Sequence, residues 1–327
     1  MKVSMTKAIV ITSIFPPTPA VKKFASLTNK GFTLYNAGDN KTPKNWKVKN
    51  TVFLSIHKQH SQFSNFSHLV AENHYARKNL AYLKAIKDKV GRIYESDDDN
   101  IAYDFFPCFI EKRIKLSQIS AKPAFNVYSL FIDKKIWPRG LPLNAIKKST
   151  FKIKQKEVQS LIQQSLVDLD PDVDAIYRLT NGELVTFDRG KVFAIAKGTY
   201  CPFNSQNTYW HPQVFPLLYL PSTVESRVTD IWRGYIAQRI LWELDSELIF
   251  SSPSVYQERN VHNYMKDFRQ ESDLYLRVEE LLQTLSKISL HGSVSEMLLT
   301  IYKKLVKRQF FQESELEIVN QWLTEVS

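Results

Sequence analysis

The sequence predicts an α/β protein: a mixed sheet flanked by helices, followed by a helical extension. Three observations carry this expectation. Short apolar runs rich in β-branched residues recur in the first hundred residues, with helix-patterned stretches between them, as parallel strands with helical crossovers require. The loops that follow these runs are polar, and open α/β sheets bind ligands beyond the carboxyl ends of their strands. From residue 255 the pattern is helical to the end, broken near residues 289–293. The expected division is an α/β domain over residues 1–250 and a helical extension over 251–327 packed on it.

The first apolar run, Ala8-Ile9-Val10-Ile11-Thr12-Ser13-Ile14, reads as a buried strand over residues 7–14. It is too short to span a bilayer and has no signal-peptide cleavage pattern. A Pro-rich turn (Pro16, Pro17, Pro19) and a short helix near 21–27 follow. Strands are expected at 32–36 and 52–55, with the polar loop Gly38-Asp39-Asn40-Lys41-Thr42-Pro43 between them. Residues 73–90 read as a helix with Leu80, Leu83 and Ile86 on its apolar side, and 92–94 as the next strand. The middle reads as short strands and loops at 126–131 and 137–143, a helix over 155–169, and strands at 175–179 and 192–195. Ser222-x-x-Glu225 has capping-box spacing and opens a helix to about residue 243, with Val224, Val228, Ile231 and Tyr235 on one face.

The 327 residues are 43% hydrophobic and 13% aromatic, enough to fill a substantial core and exclude general disorder. The net charge of +11 favours an anionic partner such as a nucleotide or an anionic lipid surface. No basic arm, zinc finger or other nucleic-acid module is read, so nucleic acid is not an expected partner. Two cysteines, Cys108 and Cys201, make neither a disulfide framework nor a zinc cluster. Reduced thiols and the lack of a membrane span place the chain in the cytoplasm, with peripheral contact on the inner face of the membrane as the one membrane association considered.

The acidic turn Asp97-Asp98-Asp99-Asn100 follows directly on the strand Gly91-Arg92-Ile93-Tyr94. Carboxylates crowded at a buried strand end need neutralising, and hard divalent cations take oxygen ligands. Asp97 and Asp99 are therefore the candidate ligands for Mn²⁺ or Mg²⁺ bridging a diphosphate, with Asp98 placed on the donor's ribose or sugar. Asp39 is a candidate acceptor from a base or ribose, and Lys41 a point charge for phosphate; a plain Gly-Asp-Asn turn explains that loop equally well. Arg139 lies between Pro138 and Gly140, which specialise the backbone at a site rim. Asp230 is the candidate general base, three residues from both Arg227 and Arg233, with Asp172 and Asp174 as weaker alternatives. Asn204, Gln206 and Asn207, in a run rich in amides and hydroxyls, together with Arg233, are candidates for acceptor binding. Trp210 and Trp232 are candidate sugar platforms. The seven histidines show no metal-binding spacing.

Several segments in one order resemble the STELLO family of glycosyltransferase-like proteins. They are residues 8–17, the loop 38–43, Arg77-Lys78-Asn79-Leu80-Ala81-Tyr82-Leu83, Tyr94-Glu95-Ser96-Asp97-Asp98-Asp99-Asn100 and Trp137-Pro138-Arg139-Gly140-Leu141-Pro142-Leu143. Residues 170–179, Pro202-Phe203-Asn204-Ser205-Gln206-Asn207-Thr208 and Arg227-Val228-Thr229-Asp230-Ile231-Trp232-Arg233-Gly234-Tyr235 continue the series. The resemblance implies a GT-A-like, Rossmann-type fold and a metal-dependent glycosyltransferase. Such an enzyme moves a sugar from a nucleoside-diphosphate donor, UDP-linked by expectation, to a glycan or lipid-linked glycan, with inversion through Asp230. It also places Arg77 and Lys78 near the donor phosphates. The family's plant members carry a membrane anchor and face the Golgi lumen; their compartment and cellulose partners are not carried over. Two alternatives stand beside this reading. One is a nucleotide-sugar mutase, which needs an arginine attacked by the sugar, here Arg139; the other is a non-catalytic scaffold of polysaccharide synthesis.

Overall fold

The computed structural model describes residues 6–147, 150–258 and 263–327. Eleven strands form one mixed sheet: β1 (Lys7–Ser13), β2 (Phe32–Gly38), β3 (Thr51–Leu54), β4 (Arg92–Ser96), β5 (Asn100–Ala102), β6 (Ile114–Ser120), β7 (Lys152–Val158), β8 (Ile162–Asp168), β9 (Val192–Ile195), β10 (Asn207–Trp210) and β11 (Leu248–Gln257). Their order is β3-β2-β1-β4-β10-β8-β11-β9-β6-β7, with β5 paired to β11 off this path. β3, β2, β1 and β4 run parallel, and β10 enters antiparallel between β4 and β8. This is the mixed sheet flanked by helices expected of a GT-A-like fold.

Both faces of the parallel part are covered, so its strands read as continuous apolar runs. Along β1, Ala8 and Val10 enter the larger core while Ile9 and Ile11 enter the smaller one on the opposite face. α1 (Pro19–Ala25) covers the smaller core through Val21 and Phe24; Thr18 caps it and proline opens its first turn. The larger core lies under the other helices. In order they are α2 (Ile56–Gln62), α3 (Ser64–Ser67), α4 (Lys78–Lys87), α5 (Ala175–Thr180), α6 (Ser226–Leu241), α7 (Tyr264–Gln270), α8 (Ser272–Leu276), α9 (Val278–Ser286), α10 (Val294–Lys307) and α11 (Glu315–Val326). Leu281, Ile301, Val319 and Trp322 of the C-terminal helices belong to the same buried cluster as Val10, Ile93 and Ile231.

Four elements differ from the expectations. Residues 155–169 are not a helix but the end of β7 and all of β8, which lie apart in the sheet, and 175–179 are helix α5 rather than a strand. Asp174 decides the second case, because its carboxylate caps the Tyr177 N–H and starts a helix. The Ser222/Glu225 spacing makes no capping box: the Ser222 hydroxyl accepts from the Ala71 N–H instead. Ser293 with Glu296 does form a capping box, opening α10 after the expected break. Residues 255–257 continue β11, which runs across residue 250. No helix among the described residues is long and apolar enough to cross a membrane.

Candidate active site

The carboxyl ends of β1, β2 and β4 open onto a cavity of about 630 Å³. Seven aspartates line it, Asp39, Asp97, Asp98, Asp99, Asp172, Asp230 and Asp267, against Lys41, Arg139, Arg227 and Lys266. Three chain segments converge because two glycines let them. Gly140 has φ +82°, and a Cβ there would sit 2.3 Å from Ile231 of α6. A Cβ on Gly234 would sit 2.4 Å from the Phe203 carbonyl oxygen. Arg139, Asp230 and the 203–206 loop are thereby pressed into one wall.

The opposite wall is the acidic turn. The Tyr75 hydroxyl donates to Asp97 at 2.6 Å and lies 2.6 Å from the Ser205 hydroxyl. Below it, the buried Lys78 ammonium donates to Asp97 Oδ1 at 3.3 Å, and to the carbonyls of Ser96 and Ser205. Lys78 thus ties β4 to the 203–206 loop from within the core and does not line the cavity. Asp98 accepts from the Ser13 hydroxyl, while the Thr18 hydroxyl donates to its backbone carbonyl. Asp99 accepts from the Gln257 amide at 2.8 Å. Burial raises the Asp97 carboxyl above its ordinary range, with Lys78 opposing and Asp230 adding to the rise. Burial pushes Asp98 up to about 6. Three clustered carboxylates with one buried lysine beneath them form an environment that an additional cation would relieve.

Facing them is a paired cluster. Arg139 grips Asp172 in a fork, Nε to Oδ1 at 2.7 Å and Nη2 to Oδ2 at 2.8 Å. The same guanidinium reaches both oxygens of Asp230 at 3.1–3.2 Å and donates to the Arg227 carbonyl. Burial pushes the Asp172 carboxyl up, but Arg139 overrides this and holds it below the usual carboxylate range. Burial also opposes the charge on Arg139; Asp172 and Asp230 outweigh it and raise its hold on the proton. Ser205 donates from its N–H and hydroxyl to Asp230 at 3.3 Å.

The remaining expected residues divide. Lys41 and Gln206 line the cavity, the latter bound to Gln257 at 2.7 Å. Asp39 also lines it, yet its carboxylate accepts three backbone N–H groups, from Asn40, Asn73 and His74, and so organises two loops. Arg77 is fully buried and donates to Ser67 and Val70 carbonyls and to Gln59, facing the core rather than a phosphate. Arg233 is buried in a fork with Glu95 at 2.7 and 2.8 Å and lies over Trp210, so it does not reach an acceptor. Asn204 braces Asp172 at 2.8 Å, and Asn207 binds the Leu166 carbonyl inside the sheet. Trp210 and Trp232 are fully buried and offer no sugar platform. Asp174 caps α5 and accepts from the Trp137 indole at 2.7 Å. His262 lies outside the described residues.

Several contributors were missed in the sequence: Tyr75 and Ser13, which brace the turn; Phe15, 41% exposed on the cavity rim; and Arg227, Lys266 and Gln270, which bring α6 and α7 to the site. The short spacing from Tyr75 to Lys78, one helical turn, was the available signal for Tyr75. Glu271, fully buried, holds Arg227 at 2.6 Å and the Ala175 N–H at 2.8 Å, anchoring the C-terminal segment beside the cavity. No group of three or more His, Cys, Asp or Glu side chains among the described residues is arranged as a ready-made metal site.

Residues 227–327 match the family described as STELLO glycosyltransferases. Over 98% of its length the chain is 29% identical to the "Probable glycosyltransferase STELLO1" of Arabidopsis thaliana, and 28% identical to "Probable glycosyltransferase STELLO2" of the same plant. The chain spans 44% of the length of each of these relatives. A solved structure described as "Crystal Structure of a Mycobacterial Protein" is similar with a TM-score of 0.44 and 10% identity, covering 89% of this chain and 78% of that one.

Proposed function

We propose that this chain, which is similar to the STELLO glycosyltransferases, transfers a sugar from a nucleoside-diphosphate donor to a hydroxyl of a glycan or lipid-linked glycan. One observation carries this reading: an under-neutralised acidic turn at the end of β4 faces a buried Asp–Arg–Asp cluster across one cavity. A diphosphate is itself anionic, so it enters a cavity with seven aspartates only with a cation to bridge it.

Asp97 and Asp99 are the residues that would hold Mn²⁺ or Mg²⁺; when bound, the ion stabilises charge on the departing diphosphate. Lys41 stands exposed at the cavity mouth as a phosphate contact, and the open face of Phe15 is a platform for the nucleobase. Tyr75 and Lys78 hold the Asp97 carboxylate in place. Asp230 takes the proton of the acceptor hydroxyl as that oxygen bonds to the anomeric carbon. The bond from that carbon to the diphosphate breaks, and the nucleoside diphosphate leaves with the electron pair. Arg139 and Ser205 orient Asp230 for this role. Attack from the face opposite the diphosphate inverts the anomeric centre.

The mutase reading fares worse on the same geometry. Arg139 holds its proton more firmly than an ordinary arginine and is tied to two aspartates and a carbonyl, so its nitrogens make poor nucleophiles. The test is release of nucleoside diphosphate from a panel of UDP- and GDP-sugars with Mn²⁺ and glycan acceptors, on wild type and Asp230→Asn. The proposal expects acceptor-dependent release that falls at least 100-fold in the variant, the usual weight of a general base being about 10²–10⁴. Isomerised donor sugar without acceptor would instead favour the mutase.

A further inference from the structure

Beside the candidate active site lies a second cleft of about 1110 Å³, larger than the cavity itself. The two share a wall. His74 lines both, and the segment leading into α6 divides between them: Val224 and Glu225 face the cleft, Ser226 and Arg227 the cavity. The His74 Nε2 atom lies 2.7 Å from the Val224 carbonyl oxygen, which forms part of the partition.

The chemistry of the cleft differs from that of a nucleotide site. Glu72, Glu225, Asp273, Glu313 and Glu317 line it; Arg277 is the one lysine or arginine among its described lining residues. That guanidinium is itself turned to the carbonyls of Gln309 and Arg308 and lies 4.2 Å over Phe310. In a chain of net charge +11 the cleft, like the cavity beside it, is locally acidic, and without a bridging cation it repels polyanions. Carboxylates, hydroxyls and amides accept and donate to neutral hydroxyl groups. On the cleft wall the rings of His60 and His68 stack 4.1 Å apart and 8° from parallel, presenting a flat partly exposed surface. The volume exceeds the roughly 300–1,000 Å³ of ordinary small-molecule pockets, as an extended chain needs.

We propose that this cleft binds the acceptor as an uncharged oligosaccharide, lying along the acidic wall with its reactive end crossing beside His74 toward Asp230. The role as acceptor rests on the glycosyltransferase reading; glycan binding in the cleft does not. Division of labour follows from the cation: both recesses are lined by more carboxylates than basic side chains, so the anionic donor enters the cavity with a bridging cation, while the neutral chain needs none in the cleft.

The test is saturation-transfer NMR on the full chain with uncharged hexasaccharides of several linkages and with a uronate hexasaccharide. Variants are Glu317→Trp, which fills the cleft from an exposed position on α11, and Glu313→Lys/Glu317→Lys, which reverses its charge. The proposal expects transfer to at least one uncharged hexasaccharide, reduced about tenfold in affinity by Glu317→Trp, and none to the uronate unless the charge is reversed. In parallel, the shift in thermal midpoint given by UDP with Mn²⁺ should be the same in all three proteins. No transfer to any uncharged member, binding indifferent to Glu317→Trp, or preference of the wild type for the uronate overturns the proposal. Glycan binding without any nucleotide response removes the transferase reading and leaves the cleft as a glycan site.

Discussion

The two walls of the cavity handle buried charge in opposite ways. At the acidic turn, Asp97, Asp98 and Asp99 crowd above one lysine, and the carboxyls of Asp97 and Asp98 rise above their ordinary range. Across the cavity, one guanidinium serves two aspartates, and Asp172 falls below that range. The difference separates two tasks. A fully paired cluster fixes geometry, because breaking it strands a buried charge. An under-neutralised cluster keeps carboxylate charge that a cation would relieve, the property the proposed diphosphate site needs.

The comparison breaks most visibly at Arg139. Arg139→Met leaves Asp172 and Asp230 buried without their partner and should cost about 3–5 kcal/mol of stability, as removal of one member of a buried pair does. Urea unfolding at pH 7 reads this directly. A loss under about 1 kcal/mol would mean that the cluster is hydrated and does not hold the wall together.

Two aspartates two residues apart sharpen the same contrast through pH. Burial pushes the Asp174 carboxyl up to about 6, while Asp172 is held low by Arg139. A raised folded-state pKa means the native protein binds the extra proton, so the Asp174 contribution is full below about pH 4 and is lost as pH rises through 6. Asp172 has the reverse sign: its contribution is present above about pH 4 and fades as pH falls through its depressed value. Between pH 4 and 6, the slope of unfolding free energy against pH should therefore be less negative in Asp174→Asn than in wild type, by about 1–2 kcal/mol over the interval. Parallel curves for the two proteins would contradict the assignment.

A smaller effect is expected at Tyr75, whose hydroxyl spans Asp97 and Ser205 and so links the two walls. Tyr75→Phe removes those bonds without a change of shape and should cost about 1 kcal/mol, with a weaker response to nucleotide. Unchanged unfolding and unchanged nucleotide response would show that the walls are independent.

What the sequence made legible follows the same division. β1, β2 and β4 announce themselves because both their faces are buried and their runs are apolar, ending in polar turns. The acidic turn was therefore visible with its position in the sheet. β8 was misread as helix because Gln163, Gln164 and Ser165 interrupt its apolar pattern. Each is satisfied by a partner distant in sequence: Gln163 by Ile110, Gln164 by Asn204 and Ser165 by Ser251. Arg77, Lys78 and Arg233 looked like phosphate or acceptor ligands for a related reason. A charged residue shows its charge in sequence, while the carbonyls and the Glu95 carboxylate that absorb it lie 7 to 138 positions away. The Asp172–Arg139–Asp230 cluster joins three segments whose meeting depends on Gly140 and Gly234 at close contacts, which spacing alone does not reveal.

The measurement that tests the central claim most directly is the thermal midpoint of wild type and Asp97→Asn/Asp99→Asn with UDP, GDP and ADP, each with and without Mn²⁺. The account predicts stabilisation of the wild type by one nucleoside diphosphate only when Mn²⁺ is present, about 2.7 kcal/mol at a hundredfold excess over Kd, and none in the double variant. A metal-independent response, an equal response in the variant, or no response to any nucleotide would contradict it.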